Sequence, residues 1–175
     1  DALVQERING RQFSVNSVSN GGCHYLAERW TFNTVPIKGA ASLCDYETLL
    51  DARHPDYLRI QGYVFSVLDA LGIKEGPAHI EIFVDEGGPV LIELGARMQG
   101  SMSRPATIKA LGQDHVSLTA LRYGDPMRFD DLMRNPNRRH QNAEIVSLLS
   151  DERGKVAGFS GLERLKSLAS FADAI

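Results

Sequence analysis

A chain of 175 residues that is 43% hydrophobic and 23% charged has the material for one folded domain with a sizeable core, and this composition argues against disorder. Nineteen basic against twenty-two acidic side chains leave a formal charge of -3, which argues against a nucleic acid or an anionic membrane held by the bulk field. Cys23 and Cys44 have neither metal-ligand spacing nor a framework of bridges, no apolar run approaches the roughly 20 residues of a membrane helix, and no signal-peptide pattern opens the chain; a reducing, cytoplasmic setting is the expectation.

In chain order, "LVQERI" reads as a strand, turning at Asn9-Gly10 into "RQFSVNSV" and at Asn20-Gly21-Gly22 into "CHYLAERWTF". In the second of these, Phe13 and Val15 alternate with Ser14 and Asn16. "NTVPIKGAASL", with Pro36 and Gly39, reads as a loop. From Pro55 the period changes: Tyr57, Ile60, Tyr63, Val64, Val67, Leu68 and Leu71 recur three and four apart, an amphipathic helix closed by Gly72. A hairpin follows in "GPAHIEIFVDEGGPVLIELGARMQG", then two helical segments, "SRPATIKALG" and "DHVSLTALRYG", and a polar stretch, "DPMRFDDLMRNPNRRHQN". The chain closes with a strand pair, "AEIVSLLS" and "KVAGFS" around Asp151–Gly154, and a helix at "GLERLKSLASF". Strands in blocks with helices between them predict an α+β fold with a largely antiparallel sheet, in a single domain over residues 1–175.

The hairpin carries the chemistry. A three-residue loop, Glu86-Gly87-Gly88, sets Val84 opposite Val90, Phe83 opposite Leu91 and Glu81 opposite Glu93. Ile80, Ile82, Val84, Val90, Ile92 and Leu94 then face the core, and both glutamates face away from it. Like charges opposed in a sheet repel, and a divalent cation between them reverses the sign. Strand parity carries Arg97 to the same face, where it can grip a phosphate or carboxylate. Periodicity alone leaves an equal alternative, a solvated face on which Arg97 neutralises a glutamate.

"HIE", followed twelve residues later by the glutamate of "IELGAR", resembles the magnesium-binding signature of ATP-grasp ligases. The resemblance implies that Glu81 and Glu93 hold magnesium (or manganese) on ATP and that Arg97 stabilises an acyl phosphate and its tetrahedral successor. It makes "LVQERINGRQFSV" the hinge strand and hairpin beneath the adenosine. Gln5 and Glu6 then lie near the adenine amine, Ile8 at a backbone contact to the ring, and Gln12 at the ribose hydroxyls in place of the usual acid. Phe83 would pack on the adenine, with a core aromatic as the alternative.

Within the family, "IELGARMQG" and "GKVAGFSGLERLKSL" look most like ligases that join two amino acids, and a biotin-carboxylase-like enzyme or a non-catalytic nucleotide-binding module are the alternatives. The resemblance implies small-molecule substrates, a carboxylate and an amine, no nucleic acid or membrane, and allows a homodimer. It matches the C-terminal portion of the fold, with a C-terminal extension starting over approximately 140–175 and without the upstream glycine-rich loop. Gly95 stands where many relatives carry an asparagine that helps ligate a second magnesium. Met98, Gln99, Ser101 and Arg104 could line a substrate pocket, and His79 shares the face of Glu81, either touching a phosphate or bonded within the fold. The other histidines, His24, His54, His115 and His140, form no two-ligand helical pair.

Overall fold

The computed structural model describes residues 2, 4, 6–37, 40–135, 141–150 and 154–174. Six strands form one sheet: β1 (Arg11–Asn20), β2 (Cys23–Ile37), β3 (Ala40–Leu49), β4 (Gly76–Val84), β5 (Pro89–Gly95) and β6 (Glu144–Val146). Their spatial order is β5-β4-β1-β2-β3-β6, and every neighbouring pair is antiparallel. Among the described residues, five helices accompany them: α1 (Tyr57–Ala70), α2 (Arg104–Leu111), α3 (His115–Gly124), α4 (Pro126–Arg134) and α5 (Leu162–Lys166). The α+β expectation with an antiparallel sheet is borne out.

Each face of the sheet has its own cover. Ile60, Val64 and Leu68, one turn apart on α1, are fully buried against Phe13, Val15, Ile80 and Ile82. Each such side chain contributes about 1.5–3 kcal/mol of burial, so this layer anchors the domain. The opposite face is covered at one end only. There Leu118 of α3 and Phe129 of α4 pack on Val18, Tyr25 and Ala27, and Ala110 of α2 packs beside Trp30 and Leu49. Asp114 starts α3 as a capping box, accepting from the Ser117 amide while the Ser117 hydroxyl takes the Asp114 amide.

Several predicted elements differ. Residues 6–9 form no strand. β1 already has β2 on one side and β4 on the other, so the segment before it finds no free ladder. Gly10 instead runs so close to β4 that a Cβ there would lie 2.6 Å from the Val84 carbonyl oxygen. The predicted loop "NTVPIKGAASL" continues β2 and opens β3, and Pro36 falls at a register irregularity between Val35 and Ile37, where its missing N–H is tolerated. The polar stretch contains α4, started by Asp125 and Pro126 and held by the fully buried Phe129. "KVAGFS" is not a strand: Val156 and Phe159 are 69% and 65% exposed, and no buried face fixes a register for it. "AEIVSLLS" keeps only β6, and the last helix is the five-residue α5. Residues 136–140 with His140, and the turn residues 151–153, lie outside the described residues.

Candidate metal and nucleotide site

The β4-β5 turn is tighter than expected. Asp85 and Gly88 exchange two backbone hydrogen bonds of 3.2 Å, leaving a two-residue loop, Glu86-Gly87. The first rungs are therefore Val84 with Pro89, Phe83 with Val90 and Ile82 with Leu91, each one residue away from the predicted register. A bulge at Ile92 absorbs the difference, and from there Glu81 stands opposite Glu93 as the sequence implied. The correction moves side chains: Leu91, not Val90 or Ile92, packs with Leu94 against the α1 core, and Val90 is exposed.

Glu81, Glu93 and His79 bring their donor atoms within 4.8 Å of one another. Glu81 accepts from Gln12 Nε2 at 2.9 Å, and its Oε1 lies 3.5 Å from His79 Nε2. His79 chiefly holds the Glu81 carboxyl below its ordinary range, with burial opposing and with Gln12 and the Arg97 charge assisting. His79 is buried, its Nδ1 2.8 Å from Asn16 Oδ1, and Asn16 Nδ2 donates to Gln99 Oε1 at 2.7 Å. Arg97 lies past the end of β5, so strand parity does not place it. Its amide donates to the Gly95 carbonyl, its guanidinium donates to the Met98 carbonyl at 2.9 Å, and its stem lies over Gly95. The residues fit a divalent cation, because two opposed carboxylates on an open face gain from a positive charge between them.

Next to this trio, toward the start of β1, lies a cleft of about 530 Å³ lined by Gln12, Phe32, Phe83, Arg11, Asp45 and Tyr46 among others. Gln12 and Phe83, opposite each other on β1 and β4, thus share one wall. Ile8 is half-buried and Glu6 exposed, and neither lines the cleft; Gln5 lies outside the described residues. Of the predicted pocket residues, Gln99 joins the network through Asn16, whereas Arg104 is turned to Asp114 at 2.5 Å.

The same face carries two acids that sequence reasoning did not single out. Glu28, 2% exposed, accepts from Trp30 Nε1 at 2.8 Å and Thr107 Oγ1 at 3.1 Å, and burial pushes its carboxyl up. Glu47 is pushed up to about 7, first by burial and then by the charges of Glu28 and Glu81. Ser14, opposite Glu81 on β1, is fully buried, and its hydroxyl has no hydrogen-bond partner among the described residues. His115 donates to the Ser17 carbonyl at 2.9 Å, and burial lowers it to about 4. The alternation of Ser14 and Asn16 with Phe13 and Val15 was the available signal for the polar side of β1. Nothing local marks Glu28 or Glu47, because they join it through the sheet order.

The six-stranded antiparallel sheet with its helices matches the fold of solved ATP-grasp ligases. L-amino acid ligase from Bacillus licheniformis matches with a TM-score of 0.76 at 24% identity, over 93% of this chain and 41% of that one. Phosphoribosylglycinamide synthetase from Anaerococcus prevotii matches with a TM-score of 0.60 at 12% identity, over 79% of this chain and 35% of that one. In sequence, the chain is 29% identical over 160 residues to dapdiamide A synthase of Enterobacter agglomerans, covering 89% of this chain and 37% of that protein. The chain therefore spans well under half the length of the proteins it resembles. No protein-family model matches it.

Proposed function

We propose that this chain supplies the metal- and nucleotide-facing part of an ATP- and magnesium-dependent ligase that joins a carboxylate, an amino acid above all, to an amine through an acyl phosphate. The observation that carries the reading is Glu81 opposite Glu93 on the open face, with the Gln12–Phe83 cleft beside them. The names of two relatives, an L-amino acid ligase and dapdiamide A synthase, support the substrate class.

In this reading Glu81 and Glu93 hold the magnesium ion, which neutralises charge on the transferring phosphoryl group when bound. Gln12 has one amide hydrogen on Glu81 and keeps its carbonyl for a ribose hydroxyl, while Phe83 offers an aromatic wall to the base. Arg97, exposed at the end of β5, swings from the Met98 carbonyl to the developing oxyanion. Residues 1–175 form one domain of the enzyme, and a segment outside them provides the donors that cradle the phosphates. The relatives, more than twice as long, have room for such a segment.

The test is turnover by the full-length protein with pairs of amino acids. ADP and phosphate should appear only when both a carboxylate and an amine are present, and hydroxylamine should trap the activated carboxylate as a hydroxamate. ATP cleavage driven by bicarbonate alone would instead favour carboxylase chemistry.

A further inference from the structure

We propose that His79 is itself a metal ligand, so that Nε2 of His79 with one oxygen each from Glu81 and Glu93 forms a mixed nitrogen–oxygen site that takes Mn²⁺ in preference to Mg²⁺. The inference rests on the reading that the two glutamates hold a divalent cation and goes beyond it in naming the third donor and the metal.

The backbone places the three groups. His79 stands opposite Gly95, and Glu81 opposite Glu93, on the two rungs of the β4-β5 ladder that follow the bulge in the same face. Gly95 adds no side chain of its own beside the imidazole, and the exposed Arg97 side chain lies over Gly95. Two donors that share one ion, each about 2.1 Å from it, lie roughly 3–3.5 Å apart. The separation between His79 Nε2 and Glu81 Oε1 is 3.5 Å. That is long for a charge-assisted hydrogen bond and suits an ion held between the atoms.

The tautomer is set from behind. Asn16 Nδ2 donates to Gln99 Oε1, which turns Asn16 Oδ1 toward His79 Nδ1 at 2.8 Å. With Nδ1 donating to Asn16, a bound ion takes the place of the Nε2 proton that otherwise serves Glu81, because Nε2 is the atom that faces the carboxylates. This is the arrangement by which an outer carbonyl or amide oxygen orients a metal-binding histidine. His79 is only 5% exposed, so the ring has little freedom to turn away.

A second observation is independent of the trio. The Ser14 hydroxyl, fully buried on β1 opposite Glu81, has no hydrogen-bond partner among the described residues. A buried hydroxyl left alone is costly, and a water on the ion would satisfy it. Magnesium takes oxygen donors, whereas first-row divalent ions accept imidazole, Mn²⁺ the most weakly of them, so one nitrogen among the donors shifts the preference away from Mg²⁺ toward a first-row ion, of which Mn²⁺ is the one that still suits two carboxylates.

Manganese alone, without nucleotide, is the probe. Electron spin-echo spectroscopy of Mn²⁺ bound to the full-length protein should show modulation from a coordinated nitrogen. Supplying ¹⁵N-histidine to the wild-type protein should change that modulation, which keeps the test independent of any variant's folding. His79→Gln should abolish the signal and weaken Mn²⁺ by about tenfold or more, with Mg²⁺ little affected; Asn16→Ala should weaken Mn²⁺ by about 10–100-fold with the fold intact. Bound Mn²⁺ that is lost in Glu81→Gln and Glu93→Gln but shows no nitrogen modulation would overturn the role of His79 and leave the carboxylate site standing. Mn²⁺ binding indifferent to both glutamate changes would overturn the carboxylate site, and His79 with it.

Discussion

Glu47 carries the most testable electrostatics in the chain. It titrates near 7 when folded, against an ordinary value of 4.5. Below the ordinary value both states are protonated and the group costs nothing. As pH rises toward 7 the unfolded chain releases its proton first, so stability falls, and above 7 the loss is complete. Glu47→Gln should therefore match the wild type near pH 4 and exceed it by about 1–2 kcal/mol at pH 8, a figure reduced for partial solvent screening. Denaturant unfolding of both proteins at the two pH values measures it, and a gap independent of pH would contradict it. Arg97 gives the second prediction at this scale. Lysine keeps the charge and loses the planar fork, so Arg97→Lys should lower kcat by about a hundredfold or more with little change in KM for ATP. An intact single-turnover rate with a lowered melting temperature would mean that the arginine only supports the fold.

Among elements, α4 shows how little local pattern a helix needs once tertiary burial holds it. Its sequence is dominated by charge, yet Asp125 caps it through the Arg128 amide at 3.1 Å, and Phe129 is buried between α3 and the sheet. Phe129→Ala should cost about 3–5 kcal/mol and loosen α3, which a denaturant midpoint would register; a cost below 1 kcal/mol would show that α4 is a passive cover. By contrast α1 was legible at once, since Tyr57, Ile60, Val64 and Leu68 repeat at helical spacing and three of them form the buried stripe. The hairpin was half legible. Glycines announced the turn, and the Glu81–Glu93 pair is as expected, but only because the bulge at Ile92 compensates for a loop one residue shorter than predicted. No local rule specifies a bulge. The strand expected before Asn9 failed for a different reason, as both ladders of β1 are taken, one by β2 directly after it and the other by β4 further along the chain.

At the scale of the whole molecule, the sheet order decides what the site contains. Placing β1 between β4 and β2 sets Gln12, Ser14 and Asn16 between the Glu81 face and Glu28, and adds Glu47 from β3 beyond. The Glu81–Glu93 pairing was read from the turn and alternation of the hairpin, whereas Gln12 and Phe83 were named only through the family resemblance. Glu28 and Glu47 were not legible: each pairs with the preceding strand, Glu28 with Asn16 and Glu47 with Phe32, and they join the Glu81 face only through the long-range pairing of β1 with β4. α2 and α3 cover one end of this face, and the cleft at Gln12 and Phe83 remains open at the other. The most direct measurement follows an oxygen atom. With a substrate carboxylate labelled by ¹⁸O, the full-length protein supplied with ATP and the acceptor amine should move one ¹⁸O into inorganic phosphate for each amide bond formed, because the amine displaces phosphate from the acyl phosphate and the phosphate keeps a carboxylate oxygen. Label found in AMP, or unlabelled phosphate beside a labelled amide product, would contradict the account.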